Sequence, residues 1–405
     1  MPYTMESVIV FGDSLSDIGR KWTTKAGRAA LIFKEMFVSP NGRFSDCRNW
    51  TDFMIEDAGA RSLVVGSAQS TIDRSKRHMN FTNRSQITPD DDTFPSFYYA
   101  NYADGGACGD TPASKKPFLR TFKDQVDWFE NDVAETNQDL GNTLFIIWFG
   151  ANDLYTAERK AADMHLVAGE VAKTQRDRLE KIVKKKGFKP WFVFVNLGHP
   201  LSSVFYSRKL EAAEAAVRAD LRGAQAAGPP GGRLIEARRT LVQASRTIEP
   251  GWIGKGKKLK ALKEEVAIVE NLETGVRNYN VSLLAQAKTN GDAVVKVAQA
   301  ISENTLRLLV GNGTMAAGAM EQQAVQVGAA IYGQLGGPQP LTTIDQKHPT
   351  DQMYRFLWEE IYAELQLAGL SFGRLSAAAV GQALRTAARS GMREVMAELA
   401  QRGSH

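Results

Sequence analysis

The sequence predicts an α/β fold built on a central, mainly parallel sheet, and three observations point to it. Short apolar runs alternate with longer segments of helical periodicity along most of the chain. The runs are apolar at every position, which is typical of strands buried on both faces of a parallel sheet. Each run ends at glycine or at polar residues. Parallel strands need crossover connections, and the helical segments between the runs supply them.

Five apolar runs are the predicted strands. In chain order they cover residues 7–11, 97–103, 144–149, 191–195 and, more weakly, 293–297. Helical periodicity predicts crossover helices over residues 118–132 and 157–185, and a later helix over residues 352–365. Glycine-rich or polar clusters directly follow the first three strands. Because parallel sheets place their chemistry at the carboxyl ends of the strands, a functional site is expected along that edge.

The chain divides into a main domain, an insertion and an extension. Residues 1–370 form the main domain, and residues 205–290 within it are rich in Ala, Lys, Arg and Glu. We interpret this stretch as a helical insertion, with two alternatives: a lid that covers the site, or a solvated hairpin without a role in substrate choice. Residues 371–402 predict a helical extension that packs on the core, with a basic interfacial helix as the alternative. Residues 403–405 resemble the remnant of a purification tag.

Composition narrows the class of protein and its partners. The 405 residues are 43% hydrophobic and 23% charged, which is ordinary for a soluble globular protein. The net charge of +5 is mild, so peripheral contact with an anionic membrane is compatible with it. The chain lacks recognised nucleic-acid motifs, and a nucleic-acid partner is not expected. No cleavable signal is visible at the N-terminus, which predicts a soluble protein, either cytoplasmic or exported without an ordinary signal peptide.

The two cysteines, Cys47 and Cys108, do not form a metal-binding pattern. Neither lies in a Cys-x-x-Cys or Cys/His cluster, so a structural zinc site is not expected. Whether the two pair in a disulfide is left open. No cofactor and no metal are predicted, and a chelator is expected to leave activity unchanged.

Four blocks of residues supply the groups that acyl transfer through a serine requires. Ser14 follows the first predicted strand, Gly106 the second and Asn152 the third, while Asp345 and His348 lie three residues apart before a helix. A serine needs an imidazole base, which in turn needs a carboxylate to hold its tautomer. The tetrahedral oxyanion needs hydrogen-bond donors. Residue 16 is Ser, so the Gly-x-Ser-x-Gly elbow of ordinary α/β-hydrolases is missing.

These four blocks, in this order, resemble the GDSL/SGNH hydrolases. The resemblance implies a three-layer α/β/α, flavodoxin-like fold with a five-stranded sheet and no cofactor. It also implies the role of each residue. Ser14 is the nucleophile and first oxyanion donor, and Gly106 the second donor through its backbone, with the adjacent Gly105 as the alternative. Asn152 is the third donor, His348 the base and then acid, and Asp345 its orienting carboxylate.

Residues 41–45, Asn-Gly-Arg-Phe-Ser, and Trp50 resemble a stretch of the lipase, phospholipase and acyltransferase branch. That branch includes enzymes delivered into host cells. The resemblance implies an acyl-ester substrate, a lipid in the first instance, cleaved or transferred through an acyl-enzyme on Ser14. Two alternatives stay open. One is an O-acetylesterase for carbohydrate or other small esters. The other is a basic protein that binds a partner through its inserted helices, for which Ser14 would be dispensable.

Overall fold

The computed structural model describes residues 3–24, 42–45, 48–61, 72–73, 78–79, 84–110, 119–136, 139–200, 204–221, 233–247, 253–297 and 348–375. The strands are β1 Tyr3–Thr4, β2 Ser7–Gly12, β3 Ile72–Asp73, β4 His78–Met79, β5 Arg84–Ile87, β6 Phe97–Asn101, β7 Thr143–Trp148, β8 Pro190–Val195, β9 Ala293–Val295 and β10 Leu370–Ser371. The helices are α1 Arg20–Thr23, α2 Trp50–Asp57, α3 Phe122–Thr136, α4 Ala151–Tyr155, α5 Met164–Gly169, α6 Arg176–Lys185, α7 Val204–Asp220, α8 Arg233–Thr247, α9 Ile253–Asn290 and α10 Asp351–Leu367. A π-helical turn, Glu170–Gln175, joins α5 to α6.

The central sheet has six strands in the order β5-β6-β2-β7-β8-β9. All five predicted strands are present and mutually parallel. The sixth, β5, pairs antiparallel with β6 at one edge. Its sequence, Arg-Ser-Gln-Ile, is polar and partly exposed, so the search for apolar runs passed over it. The prediction of a mainly parallel α/β sheet is confirmed, and the number of strands in this sheet is six rather than five.

The strands are buried because helices cover both faces of the sheet. Along β2, Val8 and Val10 point into one hydrophobic cluster, while Ile9 and Phe11 point into the other. Helices α2 and α10 contribute to the first cluster, and α3, α5, α6 and part of α9 to the second. Alternate residues of a strand face opposite sides, so an all-apolar strand feeds two cores at once. The result is the three-layer α/β/α arrangement.

Strand β2 lies at the point where the order of the strands reverses. The chain passes from β2 to its neighbour β6, and then crosses to β7 on the other side of β2. In open parallel sheets, such a reversal leaves a crevice outside the carboxyl ends of the strands. Residues 13 and 14 come directly after β2 and therefore lie at this crevice.

In the described part of the predicted insertion there are three helices, α7, α8 and α9. Buried side chains of α7, α8 and the first half of α9 form a separate hydrophobic cluster that includes Leu210, Ala237 and Leu262. We call these elements the helical module. The second half of α9 instead buries Leu272, Tyr279 and other side chains in the core of the main sheet. A single helix of 38 residues therefore belongs to both hydrophobic clusters.

Strands β1 and β10, far apart in sequence, form a short parallel pair in which Tyr3 lies opposite Leu370. The predicted C-terminal extension, residues 371–402, lies outside the described residues from 376 onward. Within the part of the chain that the structure describes, no helix combines the length and the apolar character needed to cross a bilayer.

Candidate active site

Ser14 and His348 lie together at the carboxyl edge of the sheet. The Nε2 atom of His348 is 2.9 Å from the Ser14 Oγ atom, although 334 residues separate the two in sequence. Both residues are nearly buried, each about 9% exposed. A serine hydroxyl within hydrogen-bond distance of an imidazole nitrogen is the arrangement in which the hydroxyl can be activated as a nucleophile.

The turn that carries Ser14 is fixed on both sides by hydrogen bonds. The Gln125 side chain of α3 brackets Gly12, accepting from its N–H at 3.1 Å and donating to its carbonyl at 2.7 Å. Past the turn, the Ser16 N–H donates to the Asp13 carbonyl at 3.1 Å. A side chain at residue 12 would meet the Ser16 hydroxyl at 2.9 Å, so glycine is required for this close turn.

The double glycine after β6 is held by the carboxylate of Asp17. This buried carboxylate accepts hydrogen bonds from the backbone N–H groups of Gly19, Arg20, Lys21 and Gly105, all at 2.7–3.0 Å. The Gly105 N–H is therefore committed to the loop itself. Gly106 has a φ of +83°, a conformation that glycine adopts without strain. Of the two glycines, this arrangement favours Gly106 as the donor toward a substrate.

Asn152 lies in the first turn of α4, directly after β7, with its amide fixed at both ends. Its Nδ2 atom donates to Asp13 Oδ2 and to the Ala107 carbonyl, each at 3.2 Å. Its Oδ1 atom accepts from the Thr156 hydroxyl at 2.9 Å. These three partners agree on which atom is oxygen and which is nitrogen. The amide nitrogen therefore points toward the residue next to Ser14.

Asp13 connects the nucleophile turn to Asn152. Its second oxygen, Oδ1, accepts from the Leu15 N–H at 3.0 Å, so each oxygen faces a donor. Burial raises the pKa of Asp13 to about 7, while the Leu15 N–H and His348 act against this rise and Asp153 adds to it. The carboxyl group that holds Asn152 therefore changes charge near neutral pH.

Asp153, the residue after Asn152, ties α4 to the loop that contains Gly106. Its buried carboxylate accepts from the backbone N–H groups of Gly109 at 2.6 Å and Asp110 at 3.1 Å. Adjacent residues of one short helix thus reach the nucleophile turn through Asn152 and the glycine loop through Asp153. The three predicted blocks, around Ser14, Gly106 and Asn152, form one hydrogen-bonded unit.

His348 precedes α10 and packs against Phe44. The two ring centroids are 5.0 Å apart with an angle of 39° between the planes. The Phe44 backbone is held by α10 as well, because the Tyr354 hydroxyl donates to its carbonyl at 3.2 Å. The Phe44 ring also fills the space at Gly105, where an added Cβ would lie 2.6 Å from its Cε2 atom. Phe44 thus contacts both the histidine and the glycine loop. Asp345, the predicted partner of His348, lies outside the described residues.

The sequence pointed to Ser14, Gly106, Asn152 and His348, and the structure brings their blocks to one edge of the sheet. The sequence did not point to Asp13 or Asp17, whose carboxylates hold the site together by hydrogen bonds. It also did not point to Tyr279 of α9, which packs beneath the site. The two aspartates flank Ser14 in the same block, and this pair of acids was a usable signal. Tyr279 gave no signal, because its contact with α4 depends on how a distant helix packs.

The described residues contain no group of three or more His, Cys, Asp or Glu side chains arranged to hold a metal ion. Cys108 is buried, while Cys47 falls outside the described residues.

Among curated proteins, none matches the chain. The sequence profile of the family described as GDSL-like Lipase/Acylhydrolase matches residues 8–361, a span that runs from β2 into α10 and takes in Ser14, Gly106, Asn152 and His348. The chain therefore belongs to the GDSL-like lipase/acylhydrolase family and is an acyl ester hydrolase.

Proposed function

We propose that the protein cleaves an acyl ester of a lipid through a covalent acyl-enzyme on Ser14. The observation that carries the catalytic part is the 2.9 Å contact between His348 Nε2 and Ser14 Oγ at the carboxyl end of β2. His348 takes the proton as Ser14 Oγ attacks the ester carbonyl, and then gives it to the leaving alcohol. Water, activated by the same imidazole, adds to the acyl-enzyme and releases the acid with Ser14 restored.

Three donors surround the position of the oxyanion in this proposal: the N–H of Ser14, the N–H of Gly106 and the side-chain amide of Asn152. One Nδ2 hydrogen of Asn152 stays on Asp13, which fixes the direction of the amide. The other faces the Ala107 carbonyl, and in this proposal the oxyanion lies beside that carbonyl and shares the same hydrogen. Donors that are already oriented need little reorganisation in the transition state, which is why they lower its energy. Asp345 would hold the other nitrogen of His348.

A lipid is the proposed acyl donor for two reasons. Residues 41–45 and Trp50 resemble a stretch of the lipase, phospholipase and acyltransferase branch, and Phe44 of this stretch contacts His348. In addition, Tyr155 of α4 packs against Tyr206 of the helical module, with ring centroids 5.3 Å apart, and Phe205 lies edge-on to Tyr206. An aromatic surface beside the oxyanion residue suits an apolar acyl chain.

The test of the catalytic part compares Ser14→Ala and Asn152→Ala with the wild type on nitrophenyl esters. We expect Ser14→Ala to lower kcat by several orders of magnitude, and Asn152→Ala to lower it by about 10²–10³, the usual effect of losing one oxyanion donor. Ser96→Ala, an exposed serine, is the matched control and should behave as the wild type. Full activity of Ser14→Ala would refute the acyl-enzyme proposal.

The dependence of the rate on acyl chain length distinguishes a lipid substrate from a carbohydrate or other small ester. A rate that rises from acetyl to palmitoyl esters supports a lipid, whereas a rate confined to acetyl esters would indicate an O-acetylesterase. Acyl transfer shares the acyl-enzyme with hydrolysis and differs in the acceptor. Adding a sterol or another alcohol to the palmitoyl reaction, and measuring the ester formed, tests whether an alcohol replaces water.

A further inference from the structure

The long helix α9 lies directly against α4, the short helix that carries Asn152. A Cβ atom added at Gly275 would lie 2.6 Å from the Cδ1 atom of Leu154, so the absence of a side chain lets Leu154 seat against α9. One turn further along, the ring of Tyr279 covers Gly150, and a Cβ there would lie 2.8 Å from two of its ring carbons. The two contacts hold α4 at both ends.

Gly150 is the residue at which the direction of α4 is decided. It joins β7 to the helix with a φ of +110°, a backbone conformation that requires glycine. Asn152 follows two residues later. Tyr279 is fully buried over this junction, and its hydroxyl group makes no hydrogen bond with the described residues. The contact that matters here is therefore the packing of the ring rather than a polar bond.

A second side chain of α9, that of Asn280, fixes Leu197, which also packs against Gly150. Asn280 accepts from the Leu197 N–H at 2.9 Å and donates to the Leu197 carbonyl at 2.8 Å. Leu197 comes after β8, and its Cδ1 atom would lie 3.2 Å from a Cβ at residue 150. Consecutive residues of α9 thus hold Gly150 from two sides, one through a ring and the other through Leu197.

We propose that the inserted helix α9 positions the oxyanion donor Asn152, with Tyr279 and Gly275 as the positioning residues. This inference rests on the proposed function, because it assigns a role within the same site. The first half of α9 belongs to the core of the helical module, through Leu262, Val266 and Val269. The module is therefore joined to α4 by a continuous helix, and it contributes to the chemical step as well as to any cover of the site.

Positioning and covering make different kinetic predictions. A lid acts on substrate binding, so its loss should change KM and the preference for chain length. A positioning residue acts on the transition state, so its loss should lower kcat by a similar factor for short and long esters. Displacing a catalytic group such as an oxyanion donor by about 1 Å is enough to reduce the catalytic rate by about 10²-fold.

The experiment measures kcat and KM of Tyr279→Ala, Tyr279→Phe and Val281→Ala on acetyl and palmitoyl nitrophenyl esters. For Tyr279→Ala we expect kcat to fall by about tenfold or more on both esters, with KM changed by less than about threefold. Tyr279→Phe keeps the ring, so it should restore kcat to within about twofold of wild type. Val281→Ala, 64% exposed on the same helix, is the control and should not differ from wild type.

Gly275→Ala serves as a second variant if Tyr279→Ala does not fold. It places a methyl group against Leu154 in a helix where alanine is otherwise favourable, so it should lower kcat without unfolding the protein. Unchanged kcat in both folded variants, beside an inactive Ser14→Ala, would overturn the positioning role and leave the proposed function intact. A loss confined to the palmitoyl ester would also overturn it and indicate a lid. An active Ser14→Ala would instead refute the proposed function itself.

Discussion

At the scale of single residues, Asp13 sets a condition on the charge of the site. Each of its oxygens faces a donor, the Leu15 N–H on one side and the Asn152 amide on the other. An ionised carboxylate accepts both bonds. A protonated carboxyl group is neutral and accepts more weakly, above all at the oxygen that carries the proton, so it holds Leu15 and Asn152 together less firmly. The ionised form of Asp13 is therefore the one that keeps Asn152 in place.

We expect a part of the activity to be lost as pH falls through about 7, the pKa to which burial raises Asp13. The sign follows from the upward shift, because the proton binds at a higher pH than it would on an exposed aspartate. The measurement is kcat from pH 5.5 to 9 for wild type and Asp13→Asn. The variant cannot titrate at this position and should show lower kcat at pH 8 with a shallower acidic limb. Identical pH profiles would contradict the role given to Asp13.

Asn152→Ala is the control for this experiment. If Asp13 acts through Asn152, removing the amide should also remove the contribution of Asp13 to the acidic limb, leaving that of the remaining groups. If the effects of Asp13→Asn and Asn152→Ala on kcat are additive in the double variant, Asp13 acts on another part of the site.

At the scale of elements, α2 is joined to the loop that follows Ser14 through Arg43, which forms a buried ion pair with Asp52 of this helix. Arg43 makes two hydrogen bonds to the carboxylate of Asp52, at 2.8 and 3.1 Å, and donates to the Ile18 carbonyl. Asp52 also accepts from the Asn49 N–H in the capping box that begins the helix. One carboxylate thus serves the helix start and the ion pair. This arrangement explains the arginine of the Asn-Gly-Arg-Phe-Ser stretch as a structural residue.

Arg43→Ala should lower the free energy of unfolding by about 3–5 kcal/mol, because it leaves the Asp52 charge buried without its main partner. Arg355→Ala is the matched control, because its partner Asp57 is the last residue of the same helix α2. It breaks a half-exposed pair with Asp57 and should cost about 1 kcal/mol or less. Urea denaturation of both variants measures the difference. Equal losses would show that the burial of the Arg43 pair does not have the effect expected here.

The elements that the sequence predicted well are those whose pattern is local. A strand buried on both faces, such as β7 with Leu-Phe-Ile-Ile, can be recognised in the sequence because each of these residues is apolar. The edge strand β5 is polar and has no such pattern. Within the site, the sequence left Gly105 and Gly106 as alternatives. The structure favours Gly106 because Asp17, from another loop, takes the N–H of Gly105. Long-range contacts of this kind leave no periodicity in the sequence.

At the scale of the whole molecule, α9 joins the core of the helical module to one of the two cores that cover the sheet. The core of the helical module is a small cluster, whereas the second half of α9 lies in the large cluster that covers one face of the sheet. A small cluster buries less apolar area and therefore contributes less to stability. The first half of α9 should therefore have a lower free energy of local opening than the second half.

Native-state hydrogen exchange is expected to show this difference directly. Amide groups of α7, α8 and the first half of α9 should exchange through an opening of lower free energy than those of β2, β7 and β8. The second half of α9, around Tyr279, should follow the sheet. Increasing urea should merge the two groups only near the global transition. A uniform exchange along α9 would mean that the module and the sheet unfold as one unit.

The distance in sequence between Ser14 and His348 has a consequence for the synthesis of the enzyme. Ser14, the proposed nucleophile, leaves the ribosome 334 residues ahead of His348, the proposed base. A nascent chain, or one cut short before α10, contains the serine without the imidazole that activates it. Such a fragment cannot attack the esters of the cell in which it is made. In the proposed mechanism, ester cleavage begins only when Ser14 and His348 have met, so activity recovered after denaturation reports that these two distant parts of the chain have come together again.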